Sequence, residues 1–252
     1  METSDNPHKS YIQLSKHESA LLNKVEDFVV FSISRIKKLT NWTTPTIKNT
    51  LASLKKKGII TAIKKDNFVV TEQIPEKIFK IANLVAFPSY ISFWTALSYY
   101  GFTEQQVRSI QVISTQQYPR INVKGHVIET TTFNPDKFYG YQKLNSFTIA
   151  DKEKLIIDSL YKLENIGGIE EFKKCLKNAW SELNQERLFK YLKRFNNKSL
   201  FARLGYLIEE LKLKNKLEKK YLKNLPLGFV RLVPQDSLTK EYSRKWMVIV
   251  ND

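Results

Sequence analysis

Between Arg35 and Lys65 the chain carries Arg35, Lys37, Lys38, Lys48, Lys55, Lys56, Lys57, Lys64 and Lys65, and no Asp or Glu. Cations of one sign at this density suit a polyanion. Arg35, Lys48, Lys56, Lys64 and Lys65 would mostly meet phosphate oxygens, which gives affinity and salt dependence without sequence information. Asn49 offers a different chemistry, because its carboxamide presents a donor beside an acceptor and matches the major-groove edge of adenine. The hydroxyls of Thr44, Thr46 and Ser53 lie on the same segment and can reach a base edge or a phosphate. The expected double-stranded DNA site is therefore Arg35, Thr44, Thr46, Lys48, Asn49, Ser53, Lys56, Lys64 and Lys65. The competing reading of any one of these residues is a solvated helix face.

The elements needed to hold such a site are legible around it. Ser15 with Glu18 three residues later has capping-box spacing, and Leu21, Leu22 and Val25 then give a first helix one apolar face. Residues 27–31, DFVVF, read as a short strand or extended linker. Ile33, Ile36 and Leu39 mark one stripe of a second helix, broken at Thr40-Asn41, with Trp42 as an apolar plug under the turn. Thr43-Thr44-Pro45 is a helix start, with a Thr at the cap and Pro at the first helical position, where its missing N–H costs nothing. Ile47, Leu51 and Leu54 turn this third helix toward a core, and Asn49, Ser53 and Lys56 are then expected to face outward. Gly58 closes the helix behind three lysines, where cations suit the helix dipole. The runs 59–64 and 68–71, separated by a polar turn at Asp66-Asn67, read as a hairpin. Helix, turn, helix and hairpin in this order predict a winged helix-turn-helix.

The bulk numbers agree with an anionic partner. Forty-one Lys plus Arg stand against twenty-five Asp plus Glu, a formal charge of +16. The length of 252 residues suits two modest domains, placed at 1–85 and 86–252. The lone cysteine, Cys175, cannot form an internal disulfide or a cysteine-based zinc site, and a reducing cytoplasm is expected. The first ten residues are polar and lack the apolar core of a signal peptide, and no run reaches the ~18 apolar residues of a membrane span. No catalytic or metal site and no cofactor is expected. His8, His17 and His126 are scattered, there is no phosphate loop, and Glu171-Phe172-Lys173 has the E-x-K form of some nucleases but sits in a helical pattern, with Asp158 upstream.

The middle of the chain reads as a sheet with a packed helix: a helix over 90–100, a strand over 109–115, a hairpin of 120–123 with 126–132, and short strands over 138–141 and 146–149. An α+β fold class follows, a winged helix followed by a larger mixed α/β domain. From Pro88 onward the sequence resembles the AbiEi antitoxins of bacterial abortive-infection systems, the type IV toxin–antitoxin pairs. The resemblance rests on Pro88 with Tyr90-Ile91-Ser92, an aromatic stretch ending in Gly101-Phe102-Thr103-Glu104-Gln105, the strand Val112-Ile113-Ser114-Thr115, and the segment from Ile149 to Asp158. One departure is Lys154-Leu155-Ile156, where that family runs Arg-Thr-Leu. The resemblance implies an autorepressor that binds repeats in its own promoter and a C-terminal domain that counters a nucleotidyltransferase-like toxin, with direct contact to the toxin left open. A plain regulator, an RNA-binding module and a nuclease are the alternatives.

Beyond this, Asp151 is a cap candidate for a helix striped by Leu155, Ile156, Leu160 and Leu163, and Asp158 is either a buried anchor or a solvent residue. Helices are expected over 170–183, 185–195 and 199–213, with closing strands at 229–233 and 246–250. A second basic cluster comprises Arg187, Lys190, Lys193, Arg194, Lys198 and Arg203, and a third Lys212, Lys214, Lys216, Lys219, Lys220 and Lys223. Both read first as solvated helix faces, and otherwise as a surface for nucleic acid or an acidic partner.

Overall fold

A computed structural model describes residues 13–236 and 241–251; the expected lead-in of residues 1–12, with His8, lies outside them. The fold is α+β. The chain divides into two compact units. The first runs to Ile81 and includes Ile121–Gly125; the second holds Ala82–Arg120 and the chain from His126 on. The division thus falls within a helix, a few residues before the position expected from sequence.

In the first unit, α1 (Lys16–Val25) begins with the full capping box: Glu18 N–H donates to Ser15 Oγ while Ser15 N–H donates to the Glu18 carboxylate. A short strand β1 (Phe31–Ser32) leads into α2 (Ile33–Leu39), capped by Ser32 Oγ, which accepts from Arg35 N–H. After the turn at residues 40–43, α3 (Thr44–Lys56) starts from Thr43, whose hydroxyl accepts from Thr46 N–H. Thr43 is the cap, so Pro45 takes the second helical position instead of the first. Gly58, at φ +72, closes the helix in the left-handed region that a side chain would strain. The strands β2 (Ile60–Lys64) and β3 (Asn67–Val70) then form an antiparallel hairpin with an irregularity between Ala62 and Lys64, and β1 pairs with the outer side of β3. Leu21, Val25, Phe31, Ile36, Ile47, Leu51, Leu54 and Ile60 make one core, drawn from α1, β1, α2, α3 and β2. Burying each of these large side chains contributes about 1.5–3 kcal/mol. A 3₁₀ turn, Thr71–Gln73, leads into α4 (Ile74–Val85).

The second unit opens with β4 (Ser89–Ile91) and α5 (Phe93–Tyr99). The helix expected over 90–100 is therefore shorter. Tyr90 and Ile91 go to a strand because they sit mid-sheet, paired with β5 (Ser109–Ser114) on one side, and all three residues of β4 are buried. A short apolar run of this kind has no periodicity that separates strand from helix. The strand β6 (Ile121–Val123) is counted with the first unit. With β7 (His126–Thr132), β8 (Tyr141–Leu144) and β9 (Phe147–Ala150), the second unit's strands run in the order β7-β5-β4-β9-β8. The pairs β5–β7 and β4–β9 are parallel, and β4–β5 and β8–β9 antiparallel. The strand expected over 138–141 is displaced, because residues 135–137 turn as a 3₁₀ helix and pairing starts at Tyr141.

The helices α6 (Lys152–Tyr161), α7 (Ile169–Ala179), α8 (Gln185–Phe195), α9 (Lys198–Glu210) and α10 (Glu218–Leu222) follow. A small sheet of order β10-β12-β11, from β10 (Val230–Arg231), β11 (Glu241–Ser243) and β12 (Val248–Val250), ends the described chain. The helix α6 is buried on every side from Glu153 to Leu160, so its charged residues must find partners inside. Lys154 and Asp158, both wholly buried, pair one helical turn apart, with Tyr90 and Ser92 hydroxyls donating to the same carboxylate. Asp151 precedes α6 without a capping bond; its carboxylate accepts from the Tyr191 hydroxyl instead, at 2.6 Å. No helix among the described residues is long and apolar enough to cross a membrane.

Candidate nucleic-acid interface

The exposed face of α3 follows from what the core takes. Ile47, Thr50, Leu51 and Leu54 are buried, so the opposite face presents Pro45, Lys48, Asn49, Ala52, Lys55 and Lys56, all exposed. Asn49 and Lys56 lie on this face as expected, and Lys48 flanks it. Ser53 does not. Its hydroxyl donates to Glu18 Oε1 on α1 at 2.7 Å, and the side chain is half-buried. Ser53 is thereby corrected from a nucleic-acid contact to a tie between two helices. The reason is the buried Thr50, whose hydroxyl donates to Thr46 O at 2.8 Å; a polar residue spends its hydroxyl locally, joins the core side and rotates the outward face toward Ala52. The expected stripe omitted Ala52, Pro45 and Lys55. Only the side on which Thr50 falls would have revealed them.

The two other hydroxyl candidates sit at the helix start. Thr46 is half-buried and shares a hydrogen bond with Thr43 Oγ1 at 2.8 Å, while Thr44 is half-buried in the first turn. Thr46 is therefore engaged in the cap, and its hydroxyl must leave Thr43 to touch a ligand. Among the cations, Arg35 is exposed on α2 with its guanidinium 4.9 Å from the centre of the Phe28 ring. Lys37 and Lys38 are exposed on the same helix. Lys64 and Lys65 are exposed at the hairpin end, where Asp66 takes φ +59 and Asn67 Nδ2 donates to Lys65 O.

Glu18 fixes α1 against α3. Its carboxylate is almost fully buried and receives Ser15 N–H, the Ser53 hydroxyl and the Lys57 ammonium, the last at 2.7 Å. The bond from Lys57 and those from Ser15 and Ser53 lower its pKa from 4.5 to about 2, against the upward pull of burial. Lys57, which also donates to Gln13 O, is thus spent inside the unit while Lys55 and Lys56 stay exposed. The rim of this contact is a groove of about 400 Å³ that Asn49 and Thr46 border.

The chemistry considered elsewhere is not assembled. Cys175 is buried and burial pushes its thiol up to about 11, which suits packing and not nucleophilic attack. Glu171 bonds Lys174, while Lys173 bonds Glu170 and Glu210, so the two ends of the E-x-K run enter separate ion pairs, and Asp158 is enclosed with Lys154. His17 stands edge-on to Trp42. Among the described residues no group of three or more His, Cys, Asp or Glu is placed to hold a metal ion.

Neither a family model nor a curated protein matches the sequence. The fold is similar to that in the crystal structure of the RV2827C protein from Mycobacterium tuberculosis, with a TM-score of 0.66 at 11% identity, over 94% of this chain and 92% of that one. At this identity the likeness is one of fold.

Proposed function

We propose that the first unit is a winged helix-turn-helix that binds duplex DNA, and that the protein is a transcriptional autorepressor and antitoxin of the type IV kind. The observation that carries the DNA reading is the exposed face of α3. It sets one bidentate reader, Asn49, among Lys48, Lys55 and Lys56, with Arg35, Lys64 and Lys65 on the adjoining elements of the same unit. Such a helix enters the major groove, with Asn49 on an adenine edge and the lysines on phosphates. The short Pro45 and Ala52 side chains on that face let the backbone approach the bases. The hairpin is then the wing, with Lys64 and Lys65 on a flanking phosphate. The autorepressor and antitoxin roles rest on the sequence resemblance to the AbiEi proteins, which also implies a nucleotidyltransferase-like toxin as functional partner, and the lone Cys175 fits a reducing cytoplasm.

The test is selection of a preferred sequence from a random duplex pool, followed by titration of variants on that sequence and on a scrambled duplex. Asn49→Ala is expected to lose about 1–3 kcal/mol on the selected site and little on the scrambled one. Ser53→Ala is expected to leave both affinities unchanged. An equal loss for Asn49→Ala on both duplexes, or no selectable sequence, would refute base reading by this helix.

A further inference from the structure

Several basic residues of the second unit's helices are neutralised within it. Arg187 holds the buried Glu153 carboxylate at 2.7 Å, Lys152 holds Glu182, Lys173 holds Glu170 and Glu210, Lys174 holds Glu171, Lys220 holds Glu186, and Lys245 holds Glu209 and Glu218. Arg203, half-buried, donates to Arg231 O. The C-terminal half of α8 differs from these, and also from the exposed Lys212, Lys214, Lys216, Lys219 and Lys223, which have Glu209, Glu210 and Glu218 beside them in the chain. Lys190, Lys193 and Arg194 are exposed, and Lys198 is exposed at the start of α9; none of the four enters an ion pair with a described residue. The Arg194 guanidinium carbon lies 4.1 Å from the centre of the Tyr139 ring, and Lys137 sits over Tyr161 and Phe195 at the same helix end. From Arg187 to Ile208 the sequence contains no acid.

We infer that this end of α8 is a second nucleic-acid contact that holds the phosphate backbone without reading bases. The chemistry separates a phosphate partner from a protein one. The exposed residues from Lys190 to Lys198 are Lys190, Lys193, Arg194, Asn196 and Lys198, with no exposed apolar side chain among them. Protein interfaces deplete Lys and are centred on aromatic or aliphatic anchors. Lysines without apolar neighbours act as point charges toward phosphate, and the exposed Arg194 guanidinium is held against the Tyr139 ring. The one carboxamide of the set, Asn196, lies in the left-handed turn that ends α8 and not on a helix face that a major groove admits. The inference rests on the nucleic-acid reading of the first unit, and its phosphates come either from duplex DNA flanking the α3 site or from RNA.

The experiment uses the full chain with Lys190→Gln, Lys193→Gln and Lys198→Gln combined. Its binding to a 40-base-pair random duplex and to an RNA hairpin of similar length is titrated across salt. A matched triple variant of the third cluster, Lys212→Gln, Lys219→Gln and Lys223→Gln, controls for lost net charge. A Lys48→Gln, Lys56→Gln pair reports on α3. The α8 triple is expected to flatten the salt slope by up to ~2.7 on the duplex, with a flattening of the same sign on the RNA hairpin if RNA supplies the phosphates, and the control triple to leave it within ~0.5 of wild type. Loss on one probe only assigns the source of the phosphates. Restoration of the slope by Lys→Arg at the three positions supports a charge contact. Equal slopes for the α8 and control triples overturn the inference. A slope lowered by the α3 pair but not by the α8 triple overturns it while leaving the DNA reading intact, and failure of the wild type to bind either probe removes both. Unchanged nucleic-acid binding with weakened binding to an acidic protein partner would make the face a protein contact and refute the proposal.

Discussion

Replacing Lys154 by Met keeps the length and roughly the volume of a wholly buried side chain and deletes one charge of an enclosed pair. In the intact protein the Lys154 ammonium bonds Asp158 and the Tyr90 hydroxyl, and four aromatic rings, those of Tyr90, Phe133, Tyr139 and Phe195, lie within 5.1–5.4 Å of it. Burial pulls the lysine pKa down and the aspartate pKa up, while their mutual attraction opposes both shifts. Removing one partner of such a pair costs about 3–5 kcal/mol, because the survivor stays buried with its charge uncompensated. Asp158 has an exit: it can take up a proton and still bond Tyr90 and Ser92. Relative to an unfolded carboxyl near 3.8, protonation at pH 7 costs about 1.36 × 3.2, or ~4 kcal/mol, and at pH 5 about 1.36 × 1.2, or ~1.6 kcal/mol. The sign is that of a raised carboxyl pKa in the folded variant: the penalty is present above the unfolded value and relieved as pH falls toward it. The variant should therefore lose about 3–4 kcal/mol at pH 7 and less than 2 at pH 5. Urea unfolding in a Trp42→Phe background follows Trp94, Trp180 and Trp246, all in the second unit. With ~2 kcal/mol per molar urea, the midpoint should fall by about 1.5–2 M at pH 7. Adding Asp158→Asn should recover most of the loss. A loss below 1 kcal/mol at pH 7, or one that does not shrink at pH 5, refutes the account.

Two further outcomes follow from single contacts. The Glu18 carboxylate, held near 2 instead of 4.5 chiefly by Lys57, stabilises the first unit above pH 4.5, and that contribution disappears as pH falls toward 2; an acid titration of Trp42 fluorescence should show a step in this window that Glu18→Gln abolishes, and a step that persists contradicts the assignment. Gly205 lies within α9, where alanine normally helps by about 1 kcal/mol, but an added Cβ would come within 2.2 Å of the buried Trp246 ring; Gly205→Ala should cost about 1–3 kcal/mol by overpacking, with a shift in tryptophan emission, and a stabilised variant would show that the helix and ring do not meet this way.

The first unit is the part most open to reading from sequence, because its determinants are local. Ser15 with Glu18, Thr43 ahead of Thr46 and Gly58 behind the lysines each specify a helix end through a bond spanning three or four residues. The outward face of α3 was one position off because Thr50, polar by type, is buried and bonds back to Thr46 O. Ser53 was misassigned because its partner, Glu18, lies 35 residues away, and no local pattern carries that pairing. The second unit was legible as a class and less so in its boundaries. Tyr90 and Ile91 became sheet instead of helix through pairing with Ile113 and Val112, again at long range.

The same argument decides what the net charge of +16 means. A count of lysines and arginines cannot separate a cation that faces a ligand from one that holds a helix in place. Folding makes the separation by proximity. Lys57 goes to Glu18, Arg187 to Glu153, Lys154 to Asp158 and Arg203 to a backbone carbonyl, each engaged before any ligand arrives. Such groups give no salt-dependent binding, because they release no counterions from a polyanion. Lys48, Lys55 and Lys56 on α3 and Lys190, Lys193 and Lys198 around the end of α8 remain exposed and enter no ion pair among the described residues. Two basic stretches that look alike in sequence thus differ residue by residue in what they can do. Asn49 makes the further distinction between them, since it lies on the exposed face of a helix, whereas the exposed carboxamide of the α8 set, Asn196, lies in the turn that ends its helix.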